Sequence, residues 1–267
     1  VNGSARWIDL PVIPRFQPIE ILKPFLIIMI STVFTLNSQK SIYFKYLLSF
    51  LIIFPVILFL ISQPDIGQTI LIVLTWFSLI FISGINLLFF FMFFALTFSI
   101  LIYLIIYFPK FDYIKNRLLS FIDPNSGNNY QSERASEAIS NGGFFGQGIG
   151  EGTLKSDVPE AHTDYIISVI SEEFGVVAII LILLLFLIFI YMVFKKISFE
   201  TDDKTKLILI GSISLILMQA TIHIGVNIRL FPTTGMTLPF LSYGGSSILS
   251  TSILAGIILN LTKRKIN

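Results

Sequence analysis

The chain has 267 residues, of which 54% are hydrophobic and 13% charged, with a formal net charge of +2 and a mean hydropathy of +0.85. A soluble domain ordinarily carries about 25% charged residues, so this composition excludes a water-soluble globular protein and points to an integral membrane one. The small net charge without a long basic run excludes nucleic acid as a partner, and the absence of cysteine excludes disulfides and thiolate chemistry.

Residues 1–23 mix Arg6, Trp7, Asp9, Arg15 and Glu20 with apolar stretches and read as a loop or interfacial strip, Trp7 being its interface anchor. Val1 opens the chain with no charged-then-apolar signal ahead of the body, and the amino-terminal part of the natural protein is expected to be absent. Pro24 fits the first turn of a helix, whose apolar run 25–36 needs its flanks to cross about 30 Å of hydrocarbon. Residues 46–64 are uncharged and long enough to span. Residues 66–109 are uncharged too and need two spans, with Gly84, Ile85 and Asn86 as the turn. Residues 110–163, rich in Asp, Asn, Ser and Gly, form the one sizeable stretch suited to water, a long loop. Further spans follow at 165–194 and 207–228, separated by a charged connection, and a Pro/Gly-rich approach leads into a last apolar helix ending near residue 262. The expected fold is all-α: one polytopic transmembrane helix bundle over residues 1–267 with about seven crossings.

Basic residues orient such a chain. Seven crossings place Lys40, Lys45, Lys195, Lys196, Lys204, Lys206, Lys263, Arg264 and Lys265 on one side, and Arg6, Arg15, Lys23 and Arg229 on the other, leaving out the long loop. The carboxy-terminus is therefore expected in the cytoplasm and the 110–163 loop outside. Most acidic residues then fall on the outer side.

Three polar features stand out. In PEAHTDYIISVISEEFG (159–175), Asp164, Ser168, Ser171, Glu172 and Gly175 share one helical face within about 100° of arc. Glu173 does not share it. Asp164 or Thr163 first suits a helix cap, and, compatibly with that, Asp164 suits a general base if a low-dielectric mouth and its neighbours Asp157 and Glu160 raise its proton affinity. The second feature is Gln219, His223 and Asn227, four apart on one face; His223 reads equally as a structural histidine, and neither it nor His162 has metal-ligand spacing. Third, RLFPTTGMTLPFLSYGGSS (229–247) cannot be one uninterrupted helix and reads as a re-entrant or broken segment at the same mouth. Its hydroxyls, Ser242 and Tyr243 among them, suit an anionic or sugar ligand. The glycine-rich GGFFGQGIGEGTLK (142–155) follows no strand and lacks the Lys-Ser/Thr pair of a nucleotide loop, so it is read as flexible backbone over an outer cavity. Two function classes fit: an enzyme acting on a membrane-anchored substrate, and a transporter or channel. Polar groups gathered near one face, without an internal repeat, favour the enzyme.

The motifs GSARWIDL (3–10), FQPIEILK (16–23), QPDIGQT (63–69), YQSERASEAISNGGFFGQGIG (130–150), PEAHTDYIISVISEEFG (159–175) and FPTTGMTLPFLSYGGSS (231–247) together resemble the SEDS family, the FtsW/RodA/SpoVE group of bacterial cell-wall glycosyltransferases. They run in family order along nearly the whole chain. The family usually has ten membrane helices, three of them before the RWI motif, so this chain would carry the later seven. Ile19 and Val158 depart from the usual Ser and Leu. The form of residues 234–247 is more like the division branch than the elongation branch.

This resemblance implies polymerisation of lipid II into glycan strands at the outer face of the bacterial cytoplasmic membrane, at the division septum. Asp164 matches the family's proposed catalytic aspartate, expected to deprotonate or orient the acceptor sugar hydroxyl as undecaprenyl pyrophosphate leaves. Arg117, Arg134 and Lys155 are candidates for the leaving-group charge, as is a divalent cation such as Mg or Mn. Glu172 would tune Asp164 or hold water, and Glu160, His162, Ser242, Tyr243, Glu20 and Lys23 would line the cavity. The implied partners are a class B penicillin-binding protein transpeptidase, divisome regulators and membrane lipid. The family's older alternative is a lipid II flippase.

Overall fold

A computed structural model of the chain describes residues 6–9, 11, 15–36, 41–123 and 130–263. Of the predicted features, Lys40, Arg264, Lys265 and parts of the first motif lie outside these residues. The described residues are all-α, with one isolated antiparallel bridge between Ile8 and Phe16. Nine α-helices are described: α1 Pro18–Phe34, α2 Ile42–Ser62, α3 Ile66–Ile82, α4 Leu87–Tyr107, α5 Asp112–Ile122, α6 Tyr130–Gly142, α7 Ile166–Ile197, α8 Asp203–Asn227 and α9 Gly245–Thr262.

Five of these helices, rather than the expected seven or so, are long and apolar enough to cross a membrane: α2, α4, α7, α8 and α9. The reason is length. With 17 residues each, α1 and α3 extend only about 26 Å at 1.5 Å per residue, short of a hydrocarbon core of about 30 Å. α1 also begins earlier than the Pro24 expectation. Pro18 occupies its first turn, where a missing N–H costs nothing, and the Gln17 amide before it donates to Ser246 Oγ at 2.9 Å. The 110–163 stretch is not simply a loop, since it contains α5, α6 and a 3-10 turn at Leu154–Asp157.

The chain divides into two compact units. One comprises Val1–Asp112, Val193–Met218 and Gly245–Asn267. Its core gathers Trp76, Phe77, Leu79, Ile53 and Leu60, all at most 2% exposed, and the Trp76 indole donates to Ser49 Oγ at 3.2 Å. Gly211 of α8 permits close helix packing there, because a Cβ would stand 2.7 Å from Ile27 Cγ2. The first turns of α1 and α3 bring polar groups into this interior. Lys23 pairs with Glu20 at 2.7 Å, and Glu20 accepts from Gln68 Nε2 at 2.7 Å. Asp65 caps α3 by accepting from Gln68 N and pairs with Arg6 at 3.4 Å. The mutual pairing is what makes these charges tolerable inside an apolar unit, since an unpaired buried partner costs about 3–5 kcal/mol.

The second unit comprises Tyr113–Met192 and Gln219–Gly244. Its spine is the first part of α7, whose predicted polar face is buried: Ser168 and Glu172 are 0% exposed and Ser171 1%. The helix is interrupted at Gly175, with φ 75° and ψ −177°. Backbone groups released at this break bond to the glycine-rich segment beside it. Gln147 N donates to Glu172 O, Gly148 N to Glu173 O, Val176 N to Gly143 O and Val177 N to Phe144 O, at 2.8–3.4 Å. Glycines make the crossing possible, because a Cβ on Gly146 would stand 2.2 Å from Glu173 O and one on Gly175 2.3 Å from Phe144 O. Gly175→Ala is expected to destabilise this unit by more than the roughly 1–3 kcal/mol of backbone strain alone. A lowered thermal midpoint, with lost hydrogen-exchange protection at residues 143–148, is the measurement that checks it.

Candidate functional site

The second unit presents a half-buried carboxylate on a constrained turn. Residues 159–165 precede α7, and Glu160 adopts φ 55°. Its carbonyl accepts from the amides of Thr163, Asp164 and Tyr165 at 3.0–3.3 Å, while Thr163 Oγ1 donates to Glu160 Oε2 at 2.9 Å. The carbonyls of this turn are held from outside. Tyr243 N donates to His162 O at 2.9 Å, Ser242 Oγ to Thr163 O at 2.6 Å and Asn227 Nδ2 to Asp164 O at 3.1 Å. Ser242 Oγ also accepts from Leu238 N at 2.7 Å, and Gln219 Nε2 donates to Thr237 O at 3.0 Å. The three polar features that the sequence shows separately thus meet at one place.

The side chain of Asp164 has specific company. Gly235, at φ 71°, is so near that an added Cβ would lie 3.4 Å from Asp164 Oδ2. Tyr165 is 2% exposed. Burial, and next the charge of Asp164, push its phenol up to about 12 against a lowering by Arg117, so the hydroxyl stays protonated at neutral pH. Arg117 Nη1 donates to Thr233 O at 3.0 Å, tying α5 to the non-helical 228–244 segment. A cavity of about 370 Å³ opens beside this tie, lined by Arg117, Ser120, Gln131, Arg229 and Thr233 among others.

The remaining predicted residues are placed as follows. Glu172 is fully buried, but its carboxylate is occupied by the glycine-rich segment. Oε1 accepts from Asn141 Nδ2 and Leu154 N, both at 2.9 Å, and Oε2 from Lys155 N at 2.7 Å. Lys155 is paired with Glu173. Arg134 pairs with Glu137 at 2.7 Å on an exposed surface and lies over the Tyr130 ring. Of the three proposed phosphate partners only Arg117 lines the cavity. Glu160, His162 and Tyr243 are exposed and Ser242 is buried, all within the Asp164 turn and its clamp. Glu20 and Lys23 belong to the other unit. Arg229, which in the sequence is an outer-side basic residue opening the 229–247 segment, lines the cavity together with Arg117. Its position directly after the Asn227 stripe was the available signal. Among the described residues no three His, Asp or Glu side chains group so as to hold a metal ion, so a divalent cation finds no ready ligand set there. Glu172→Ala would leave the half-buried amides of Leu154 and Lys155 unpaired, at up to about 1–3 kcal/mol each. Faster hydrogen exchange at 153–156 and a lower thermal midpoint are the expected readouts.

The whole chain, residues 1–267, matches the FTSW_RODA_SPOVE family, described as cell cycle proteins. The probable peptidoglycan glycosyltransferase FtsW of Caulobacter vibrioides is 34% identical over 268 residues, covering 99% of this chain and 67% of that protein. The protein of the same description from Nitrosomonas europaea is 36% identical over 272 residues, covering 98% and 69%. Among solved structures, a chain of a peptidoglycan synthase complex that coordinates polymerization and crosslinking superposes with a TM-score of 0.76 at 27% identity, covering 98% of this chain and 73% of that one. The rod shape determining protein RodA of Thermus thermophilus gives 0.64 at 26% identity, covering 98% and 69%.

Proposed function

The chain belongs to the FtsW/RodA/SpoVE family, and we propose that it is a peptidoglycan glycosyltransferase that polymerises lipid II, with Asp164 as general base. The observation that carries this reading is the clamped turn. The backbone that carries this half-buried carboxylate is fixed from α8 and from the 228–244 segment, at the start of a membrane helix. Positioning of that kind is what proton abstraction from a bound hydroxyl requires.

In the proposed reaction Asp164 takes the proton of the acceptor sugar's 4-hydroxyl. The oxygen's electron pair attacks the anomeric carbon of the donor, whose bond to the diphosphate oxygen breaks, and that pair departs with undecaprenyl pyrophosphate. One displacement inverts the anomeric centre. An acid on the leaving side is unnecessary, because a diphosphate already carries its charge well. The guanidinium of Arg117 offsets that charge. The Tyr165 phenol, kept protonated, places no second negative charge beside Asp164.

Around the spans α7, α8 and α9, Lys195, Lys196, Lys204, Lys206, Lys263, Arg264 and Lys265 flank one side and Arg229 the other, which supports placing the Asp164 face outside the cytoplasmic membrane. The solved synthase complex supports a class B penicillin-binding protein as the crosslinking partner. Likeness to proteins named FtsW supports a role at the septum, alongside divisome regulators. Full-length protein with its transpeptidase, supplied with labelled lipid II in proteoliposomes, tests the reading. Asp164→Asn should lower strand synthesis by about 10²-fold or more while the thermal midpoint is retained. Strand yield near wild type from folded Asp164→Asn protein would reject the base assignment, and lipid II flipping without any strands would favour a transporter.

A further inference from the structure

The glycine-rich segment leaves its most apolar side chains uncovered. From Ala138 to Gly150 the chain carries no charge, although the stretch on either side is rich in charged residues. Phe145 is 82% exposed and Ile149 77%, and Phe144, edge-on to Phe145 with ring centroids 5.4 Å apart, is exposed as well. The backbone beneath them is paired from within. Besides the bonds across the α7 break, Gly146 N donates to Gly142 O at 2.8 Å, Glu151 N to Gly148 O at 3.2 Å and Gly150 N to Glu173 Oε1 at 3.3 Å. A loop in water has no need of such pairing, whereas non-helical backbone beside hydrocarbon does.

A second observation, independent of exposure, concerns depth. Residues 174–194 of α7 contain no charge, and Glu173 and Lys195 bound the run. At 1.5 Å per residue it rises about 30 Å, the thickness of a hydrocarbon core. One boundary of that core therefore falls between Phe174 and Val176, at the Gly175 break. Gly143 and Phe144 are bonded at the same level, their carbonyls accepting from Val176 N and Val177 N. Phe174 and Val176 are themselves exposed, and α7 is almost wholly unburied along its span. Phe144 and Phe145 extend that acyl-facing surface at its upper edge.

We propose that Phe144, Phe145 and Ile149 form a membrane-inserting tip, which enters the leaflet on the Asp164 side and fixes the depth of the α7 break in the bilayer. The occupant is lipid rather than a second protein. A protein interface surrounds its apolar centre with a polar rim, but the one polar side chain between Gly142 and Gly150, Gln147, donates its amide proton to Asn141 O. Insertion by about 5–10 Å, the depth of an interfacial amphipathic segment, covers both rings. The paired backbone then meets no acyl chain with an open donor at Gly146, Gln147, Gly148 or Gly150.

The test is nitroxide accessibility in full-length protein held in phospholipid nanodiscs. The 267 residues contain no cysteine, so single labels can be placed by Phe145→Cys and Ile149→Cys, any cysteine outside these residues being replaced by serine. Both side chains are so exposed that their removal costs no packing. Leu185→Cys, on the uncovered face of α7, is the lipid reference, and Glu137→Cys, on the exposed surface of α6, is the water reference. At 145 and 149 collisions with oxygen should exceed those with a water-soluble nickel complex, as at 185, and the order should reverse at 137. Nickel collisions at 145 equal to those at 137 overturn the proposal. Loss of collisions with both probes, in the protein alone or after its transpeptidase is added, overturns it too and assigns the tip to a protein contact. Accessibility is read without turnover, so its outcome is separate from the strand synthesis that tests Asp164.

Discussion

Two side-chain donors, Asn227 Nδ2 and Ser242 Oγ, hold the carbonyls of Asp164 and Thr163, and the second unit's polar architecture depends on them. Non-helical backbone in an apolar setting survives only if its N–H and C=O groups find partners in protein. The unit has two such segments, 159–165 and 228–244, and each supplies part of what the other lacks. Ser242 takes the Leu238 amide and gives its proton to Thr163, while Tyr243 N bonds to His162 O. Gln219 and Asn227 anchor both segments to α8. The acid is therefore carried by a turn that regular helix geometry could not provide.

The buried carboxylates show how similar residues take different work from their surroundings. Glu172 lies within α7, has three donors within 2.9 Å and serves the glycine-rich segment, whereas Asp164 sits on the turn before that helix, beside Gly235. Glu20 is different again, being neutralised by Lys23 in the other unit. Charge alone does not distinguish them; their surroundings do.

Much of the helical framework was legible because uncharged runs and their breaks are local signals. Asn86 caps α4 where the turn was expected, and the buried face from Ser168 to Gly175 follows directly from helical periodicity. The convergence of the Gln219 stripe with the Pro/Gly segment was legible in kind but not in partners. What escaped depends on distant contacts. α5 and α6 are short amphipathic helices whose periodicity is masked by the Asn, Ser and Gly around them. The start of α1 at Pro18 is tied to Ser246, 229 residues on, through the Gln17 amide. The engagement of Lys155 by Glu173 joins residues 18 apart.

The break in α7 has a further consequence for motion. Two bonds that an unbroken helix would make to itself, Val176 N to Glu172 O and Val177 N to Glu173 O, are replaced by four bonds to residues 143–148. Peeling that segment away would therefore expose the severed ends of the helix at the same moment, and neither part can loosen while the other stays intact. The two form a single cooperative unit of local opening, so breathing of the outer cover and fraying beneath it share one free-energy cost and one timescale.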